Sequence, residues 1–402
     1  MNQSTKNAKN VDLEIYNFDR EIASLFRIAE REFTERNYEL FQKYDRTLTT
    51  LSQSKASRRK ALRMIITVAR FTKKDFEELS REDMDQIFYE VMKSFANNKG
   101  QETWQSYDCK KHFKLFMRWV LTGNRTKSEE PDPKQIRGII MKIPKDRLAR
   151  EDLLTPDDLS KILDGCAGDL MHKAMIHVQW EAGTRPSELL NMRNKHVTFD
   201  EFGAIMKVDY KTNARPVRLV ESVPTLTAWL NNHPFKENPE HPLWIMRNNR
   251  DFGRGMTYYS TRRQLQTVFA NSGVQKRVFL NLFRHSEATR MAKILTEPEL
   301  KKRQGWTASS KMVARYVHMV DADVEEKILA HYGLKGVEKE EAIRVPKVCP
   351  TCTFVNPPEN EMCSRCSKPF SVDIALKMEH DKQDEMKMMW NEIQRLQSAL
   401  SG

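Results

Sequence analysis

Five short strings in the second half of this 402-residue chain carry side chains able to act on a phosphate ester. They are Arg185 in Ala-Gly-Thr-Arg-Pro-Ser-Glu-Leu, Lys211 in Lys-Thr-Asn-Ala-Arg, Arg284 in Asn-Leu-Phe-Arg-His-Ser-Glu-Ala-Thr, Trp306 in Gln-Gly-Trp-Thr and Tyr316 in Ala-Arg-Tyr-Val-His. An oxygen attacking a phosphodiester passes through a trigonal-bipyramidal state whose non-bridging oxygens gain charge. The forked donors of Arg match that planar distribution better than the ammonium of Lys does, so Arg185 and Arg284 are expected to clamp the phosphate. A phenol with a pKa of about 10 attacks only when a neighbour takes its proton or the clamp stabilises the phenolate, and attack leaves it covalently joined to phosphorus. Tyr316 is the candidate nucleophile. The departing sugar oxygen needs a proton, which a Lys on a mobile hairpin tip can deliver, and Lys211 stands between the strand-like residues 204–210 and 216–220.

These strings, in this order and spacing, resemble the catalytic domain of tyrosine recombinases, the integrase family that also includes chromosome-dimer resolvases; the resemblance covers residues of about 150–335. It extends to Gly183, Glu188 and Leu189 around the first Arg and to His285, Ser286, Ala288 and Thr289 after the second. In that family the nucleophilic Tyr follows a Gly-His or Gly-Trp step by about ten residues, as Tyr316 follows Trp306. The resemblance implies site-specific cleavage and rejoining of DNA through a 3′-phosphotyrosyl intermediate, without ATP or catalytic metal, by four protomers on two duplexes. A type IB topoisomerase uses nearly the same Arg, Lys and Tyr chemistry and is a second reading. A catalytically weak DNA-binding regulator is a third.

Two positions depart from the commoner family pattern. Trp306 replaces a His, and an indole N–H can still meet the phosphate while the ring packs beside the Tyr. Asn281 stands where the second box has His or Lys. Asn neither takes nor gives a proton near neutral pH, so it could only orient the phosphate or the Tyr by hydrogen bonds. Either catalysis runs with less base assistance, or His285 or another group substitutes.

Composition agrees with a nucleic-acid partner. The net charge is +12 and the pI about 9.3, and neutralised phosphates release counterions. Between Met246 and Ser286 lie eight basic residues, Arg247, Arg250, Arg254, Arg262, Arg263, Lys276, Arg277 and Arg284, against one acid, Asp251. Taken singly, each is a solvated surface charge; as a cluster beside the catalytic strings they read as contacts to double-stranded DNA. No apolar run reaches the roughly 18 residues of a membrane span, and residues 1–11 lack an apolar signal-peptide core, which predicts a soluble cytoplasmic protein.

Six cysteines are present, four of them as Cys349-Pro-Thr-Cys352 and Cys363-Ser-Arg-Cys366. Two such knuckles give the tetrahedral four-sulfur cage that suits zinc, and a loop this short has no apolar core without it. One structural zinc per chain is expected, with no open position for a catalytic water. Cys109 and Cys166 read as buried thiols.

The remaining elements must position these groups. The expected architecture is multidomain and mainly α: a polar, disordered 1–11, a helical domain at 12–122, a linker at 123–150, an α+β catalytic domain with a small β-hairpin or sheet at 151–335, a zinc ribbon at 336–372 and a C-terminal amphipathic or coiled-coil helix at 373–402. In the first domain Leu62, Ile65, Ile66 and Ala69 recur at helical spacing, and Ser80 with Asp83 makes a capping box for a helix bearing Met84, Ile87, Phe88 and Val91. A helix from 102 to 121 puts Phe113, Phe116, Met117 and Val120 on a core face. The segment resembles the core-binding domain that closes over DNA in the recombinases, which implies DNA contacts from Lys110, Lys111 and Lys114. Pro131, Pro133 and Pro144 punctuate the linker, and Thr155 with Asp158 caps the first catalytic helix. After Tyr316 an acidic helix is expected at 321–329, which in the family docks on a neighbouring subunit or packs on its own domain. Met386, Met389, Ile393, Leu396 and Leu400 follow an a/d rhythm. A zinc-ribbon tail of this kind resembles integrases of archaeal mobile elements.

Overall fold

The computed structural model describes residues 15–126, 131–144, 149–208 and 214–317, then 347–349, 351–352, 354–356 and 360–371, with isolated residues at 329, 332, 374, 378, 386–387 and 389–390. The chain divides into two compact units, Tyr16–Arg147 and Leu148–Gly402, the latter joined by Met1–Ile15. Residues 1–14, expected to be disordered in part, lie outside the described residues. So do most of the expected helix at 321–329 and Ile393, Leu396 and Leu400 of the apolar stripe. Met386, Met389 and Trp390 are exposed. Among the described residues no helix is long and apolar enough to cross a membrane.

Among the described residues the first unit has five α-helices, α1 (Phe18–Glu32), α2 (Glu35–Thr50), α3 (Lys55–Ala69), α4 (Arg81–Phe95) and α5 (Trp104–Thr122). The apolar spacing of α3 puts Leu62, Ile65 and Ile66 against Phe113, Phe116 and Met117 of α5 in one core with Phe41, Tyr44 and Phe76. Ser80 starts α4 as expected: its hydroxyl accepts from the Asp83 N–H at 3.1 Å, and the Asp83 carboxylate accepts from the Ser80 N–H at 2.9 Å. Gly123 closes α5 in the left-handed conformation.

The expected linker is not one over its middle part. Residues 131–144 fold back on the helical unit, with Ile136 inside its core. Asp132 accepts from the buried Arg118 guanidinium at 2.6 Å and pairs with Lys114. Proline punctuation marks irregular backbone, whereas one apolar side chain and one buried carboxylate are enough to fasten such backbone to a core.

The second unit is built on α7 (Leu170–Ala182), which is buried nearly all round, with Met171, Ala174, Met175, Ile176, Val178 and Trp180 inside together with the polar His172, His177 and Gln179. Before it runs α6 (Pro156–Asp164), opened by the expected Thr155–Asp158 box. After it come α8 (Pro186–Leu190) and a three-stranded antiparallel sheet in the order β1 (Val197–Asp200), β2 (Gly203–Val208) and β3 (Arg215–Leu219). Met206 faces Val217 across the β2–β3 pair. Helices α9 (Val223–Asn232), α10 (Tyr258–Ser272), α11 (Leu280–Met291), α12 (Glu297–Gln304) and α13 (Met312–Val317) complete the body. A two-stranded antiparallel piece, β4 (Lys347–Val348) with β5 (Val355–Asn356), carries the first cysteine knuckle. Cys109 and Cys166 are buried.

Candidate active site

Arg185 is set by the turn that ends α7. Gly183 is left-handed there, and a Cβ on it would stand 2.5 Å from the Glu287 carboxylate, so the position needs glycine. Thr184 is buried and exchanges two hydrogen bonds with Gln179, one of 2.6 Å to its amide oxygen and one of 2.7 Å from its amide nitrogen. Arg185 then caps α8. Its backbone N–H donates to Glu188 at 2.8 Å, and its guanidinium donates to the same carboxylate at 2.7 Å.

Glu188 is fully buried and also accepts two bonds, 3.2 and 3.0 Å, from Arg215 at the start of β3. Burial pushes its carboxyl pKa up, but the bonds from Arg215 and Arg185 outweigh that and hold it below the usual carboxylate value.

The end of α12 gathers three guanidiniums. The Arg303 carbonyl accepts from Arg215 Nε at 2.7 Å, the Gln304 carbonyl from Arg284 at 2.7 Å and the Gly305 carbonyl from Arg185 at 3.0 Å. Carbonyls of a last helical turn lack intrahelical partners and sit at the negative end of the helix dipole, so consecutive cations suit them. Arg284, on α11, spends a further donor on the Gly183 carbonyl at 2.8 Å. Burial, with Arg185 nearby, pulls its pKa down to about 10, which leaves it cationic at neutral pH. Each guanidinium has five N–H donors and keeps some for a ligand. With three guanidiniums against one carboxylate, the pocket holds an excess of positive charge.

The next residue after those carbonyls is Trp306, whose ring stacks on Tyr316 with centroids 5.4 Å apart and planes at 12°. The Arg284 guanidinium lies 5.6 Å from the Trp306 ring centroid. Tyr316 comes from α13 and is 1% exposed. Its hydroxyl is 2.7 Å from His285 Nδ1, and the imidazole lies 5.9 Å from the phenol ring at 29°. The structure thus brings Arg185, Arg284, Trp306 and Tyr316 together. Asn281 is exposed on the first turn of α11, one turn before Arg284. Lys211 lies in the β2–β3 connection, outside the described residues. Arg215 was not singled out from sequence, although it closes the very string that begins with Lys211. Nothing in its type separates an Arg buried against Glu188 from a strand-edge surface Arg.

The basic residues expected on DNA fall into two groups. Three of them are engaged within their own units. Lys110 is buried and bonded to Glu102 at 2.6 Å; Lys114 donates to the Ile139 carbonyl at 3.1 Å; Lys276 is bonded to Asp158 at 2.7 Å. Each ties backbone or a carboxylate within its own unit, because a long aliphatic stem lets an ammonium reach inward as easily as outward. Lys111, Arg250, Arg254, Arg262, Arg263 and Arg277 are exposed. Arg247 is exposed too, and pairs with Asp169. Arg262 and Arg277 flank a cleft of about 420 Å³ floored by Phe269 and Val274.

In the cysteine cluster the four sulfurs lie within 4.8 Å of one another. Cys349 and Cys366 are 3.6 Å apart, and Cys352 and Cys363 are 3.5 Å apart. Thiolates held at about 2.3 Å around a tetrahedral ion stand about 3.8 Å apart, so the donor set fits zinc, and all four are free thiols. Burial would raise the Cys363 thiol, but N–H donors from Cys366, Arg365 and Asn356 bring it down to about 6.

Residues 152–323 match the phage integrase family. No match is found among curated protein sequences. Among solved structures, a lambda integrase dimer bound to a COC′ core site is 12% identical, with a TM-score of 0.54 over 77% of this chain and 81% of that one. A lambda integrase tetramer bound to a Holliday junction is 13% identical, with a TM-score of 0.53 over 69% and 76% of the two chains. The post-cleavage complex of the XerH recombinase with palindromic difH is 14% identical, with a TM-score of 0.50 over 83% and 100%. At these identities the likeness is one of fold. The region from 152 to 323 is a phage integrase family domain, and the chain is a tyrosine-type site-specific DNA recombinase.

Proposed function

We propose that Tyr316 is the nucleophile of strand cleavage and that Arg185 and Arg284 clamp the scissile phosphate. The observation that carries this reading is the enclosure of the Tyr316 phenol by Trp306, His285 and the cationic pocket held together by Glu188 and the end of α12. The phenol oxygen bonds to phosphorus, the bond from phosphorus to the 5′ oxygen breaks, and Lys211 gives that oxygen a proton. The product is a 3′-phosphotyrosyl bond, which conserves the energy of the broken linkage. A 5′ hydroxyl from another strand then reseals the DNA and frees Tyr316, with no ATP and no catalytic metal. Trp306 completes the pocket by packing its indole on the phenol, and the exposed Asn281, one turn before Arg284, is able only to orient the phosphate by hydrogen bonds.

The assembly is a homotetramer on two DNA sites in the cytoplasm, since the recombinase structures of like fold are bound to DNA and one of them is a tetramer on a Holliday junction. Cys349, Cys352, Cys363 and Cys366 hold one zinc as a ribbon that cross-links chain too short to make an apolar core. The integrase role, on a mobile element such as those of archaea, rests on the resemblance of this tail.

The test is covalent trapping on nicked suicide duplexes drawn from a randomised pool, with adducts scored after denaturation. The wild-type chain should form an adduct and select a sequence. Tyr316→Phe should bind the selected duplex within about threefold and form none, because one hydroxyl contributes little beside many phosphate contacts. An adduct from the Phe variant would move the nucleophile elsewhere.

A further inference from the structure

We infer that His285 is the general base that takes the Tyr316 proton, in place of the second-box residue whose position Asn281 occupies. The inference rests on the assignment of Tyr316 as nucleophile. Asn281 and His285 are four residues apart on α11, but only His285 meets the phenol: its Nδ1 stands 2.7 Å from the hydroxyl, within the reach proton transfer requires. Asn281 is exposed and carries an amide, which cannot accept the proton at any working pH.

The imidazole is held on two sides, by the Phe279 ring at 6.1 Å and by the phenol itself at 5.9 Å. The charged groups of the pocket come from several elements. Arg284 is on its own helix and Arg315, on α13, lies 6.0 Å from the phenol ring. Arg185 reaches in from α8 to the Gly305 carbonyl. Glu287, also on α11, is turned away to Arg303 at 2.6 Å and to Gln304, and on α7 Glu181 is engaged with the backbone of residues 220–222. The phenol therefore loses its proton to His285 Nδ1 in a cationic setting that favours phenolate.

The step balances without a further reactant. As the phenol oxygen bonds to phosphorus, its proton passes to His285 Nδ1, whose partner nitrogen Nε2 carries the ring N–H in the neutral base. Lys211 separately protonates the 5′ oxygen. On religation His285 returns the proton to the departing phenolate.

The experiment uses the full chain on its selected suicide duplex, with Tyr316→Phe as the control that the adduct reports Tyr316. His285→Gln should bind DNA like the wild type and form the adduct on the order of 10²-fold more slowly, the scale of losing a positioned base. The wild-type rate at saturating DNA should fall on the acid side of its pH profile, and His285→Gln should lose that limb. A duplex whose 5′ leaving oxygen is replaced by sulfur should not rescue His285→Gln, because the defect lies on the nucleophile's side. Asn281→His combined with His285→Gln should recover part of the rate and restore an acid limb. A His285→Gln rate within threefold of wild type, rescue by the sulfur substrate, or a wild-type profile with no acid limb would each overturn the assignment. An adduct from Tyr316→Phe would instead remove the reading on which it rests.

Discussion

Replacing Glu188 by Gln isolates what holds the arginine cluster together. The carboxylate accepts two bonds from Arg185 and two from Arg215. Gln keeps its volume and one acceptor, removes its charge and turns an N–H₂ group towards a guanidinium. The two arginines are not affected alike. Arg185 is 32% exposed and recovers water, whereas Arg215 is 7% exposed and does not. One buried guanidinium is therefore left without its counter-charge, which costs about 3–5 kcal/mol. For a unit of this size, with roughly 2–4 °C per kcal/mol, the melting transition of the catalytic unit should fall by about 6–20 °C.

The pH dependence follows from the sign of the shift. The folded pKa of Glu188 lies below its unfolded value, so its contribution is present above the ordinary carboxylate pKa of about 4.3 and is lost as the pH falls through the lower folded value. Stability of the Gln variant should accordingly depend less on pH at the acid end. Calorimetry on the full chain and adduct formation read the two effects. Glu188→Gln/Arg215→Met should recover much of the stability, since it removes both members of the buried pair, but not the rate, because Arg185 has lost its carboxylate and is left with the Gly305 carbonyl at the end of α12. A Gln variant that melts within about 2 °C of wild type would refute the electrostatic account of the cluster.

Two other outcomes are expected. Lys211→Ala should cleave a normal duplex very slowly and recover when the 5′ leaving oxygen is sulfur, since a thiolate departs without a proton; equal defects on both substrates would remove Lys211 from the general-acid role. Metal analysis should find about one zinc per chain, lost on Cys352→Ser together with the local structure of residues 347–371, because a closed four-sulfur site acts on shape alone; retention of zinc by the Ser variant would exclude Cys352 as a ligand.

The parts of the site legible in sequence are those whose meaning is local. Arg185, Arg284, Trp306 and Tyr316 sit in strings whose neighbours also matter: Gly183 fits only as glycine because Glu287 stands against it, and Glu188 caps the helix that Arg185 begins. Helix starts at Ser80 and Thr155 were legible for the same reason, as a cap and its partner lie three residues apart. What the sequence did not disclose is direction. Lys110, Lys114 and Lys276 are cations on amphipathic segments beside the expected DNA faces, yet each reaches a carboxylate or carbonyl of its own unit. The Pro-punctuated stretch at 131–144 hid one core residue, Ile136. For Lys114, Lys276 and Ile136 the deciding partners are remote in sequence, so no short window along the chain contains them, whereas Lys110 meets Glu102 just before its own helix.

Arg215 shows why this matters for mechanism. Its guanidinium binds Glu188 from one side and the Arg303 carbonyl from the other, and a Cβ on Gly305 would stand 2.6 Å from it. The end of α12 thus holds Arg215, Arg284 and Arg185 through three successive carbonyls and then places Trp306 on the Tyr316 ring. The arginine cluster and the packing of the Tyr316 ring hang on one short segment. A displacement of that segment alters both together. The order of residues in the string Arg303-Gln304-Gly305-Trp306, in which each backbone carbonyl serves a different arginine and the last residue supplies the ring, is what couples the two.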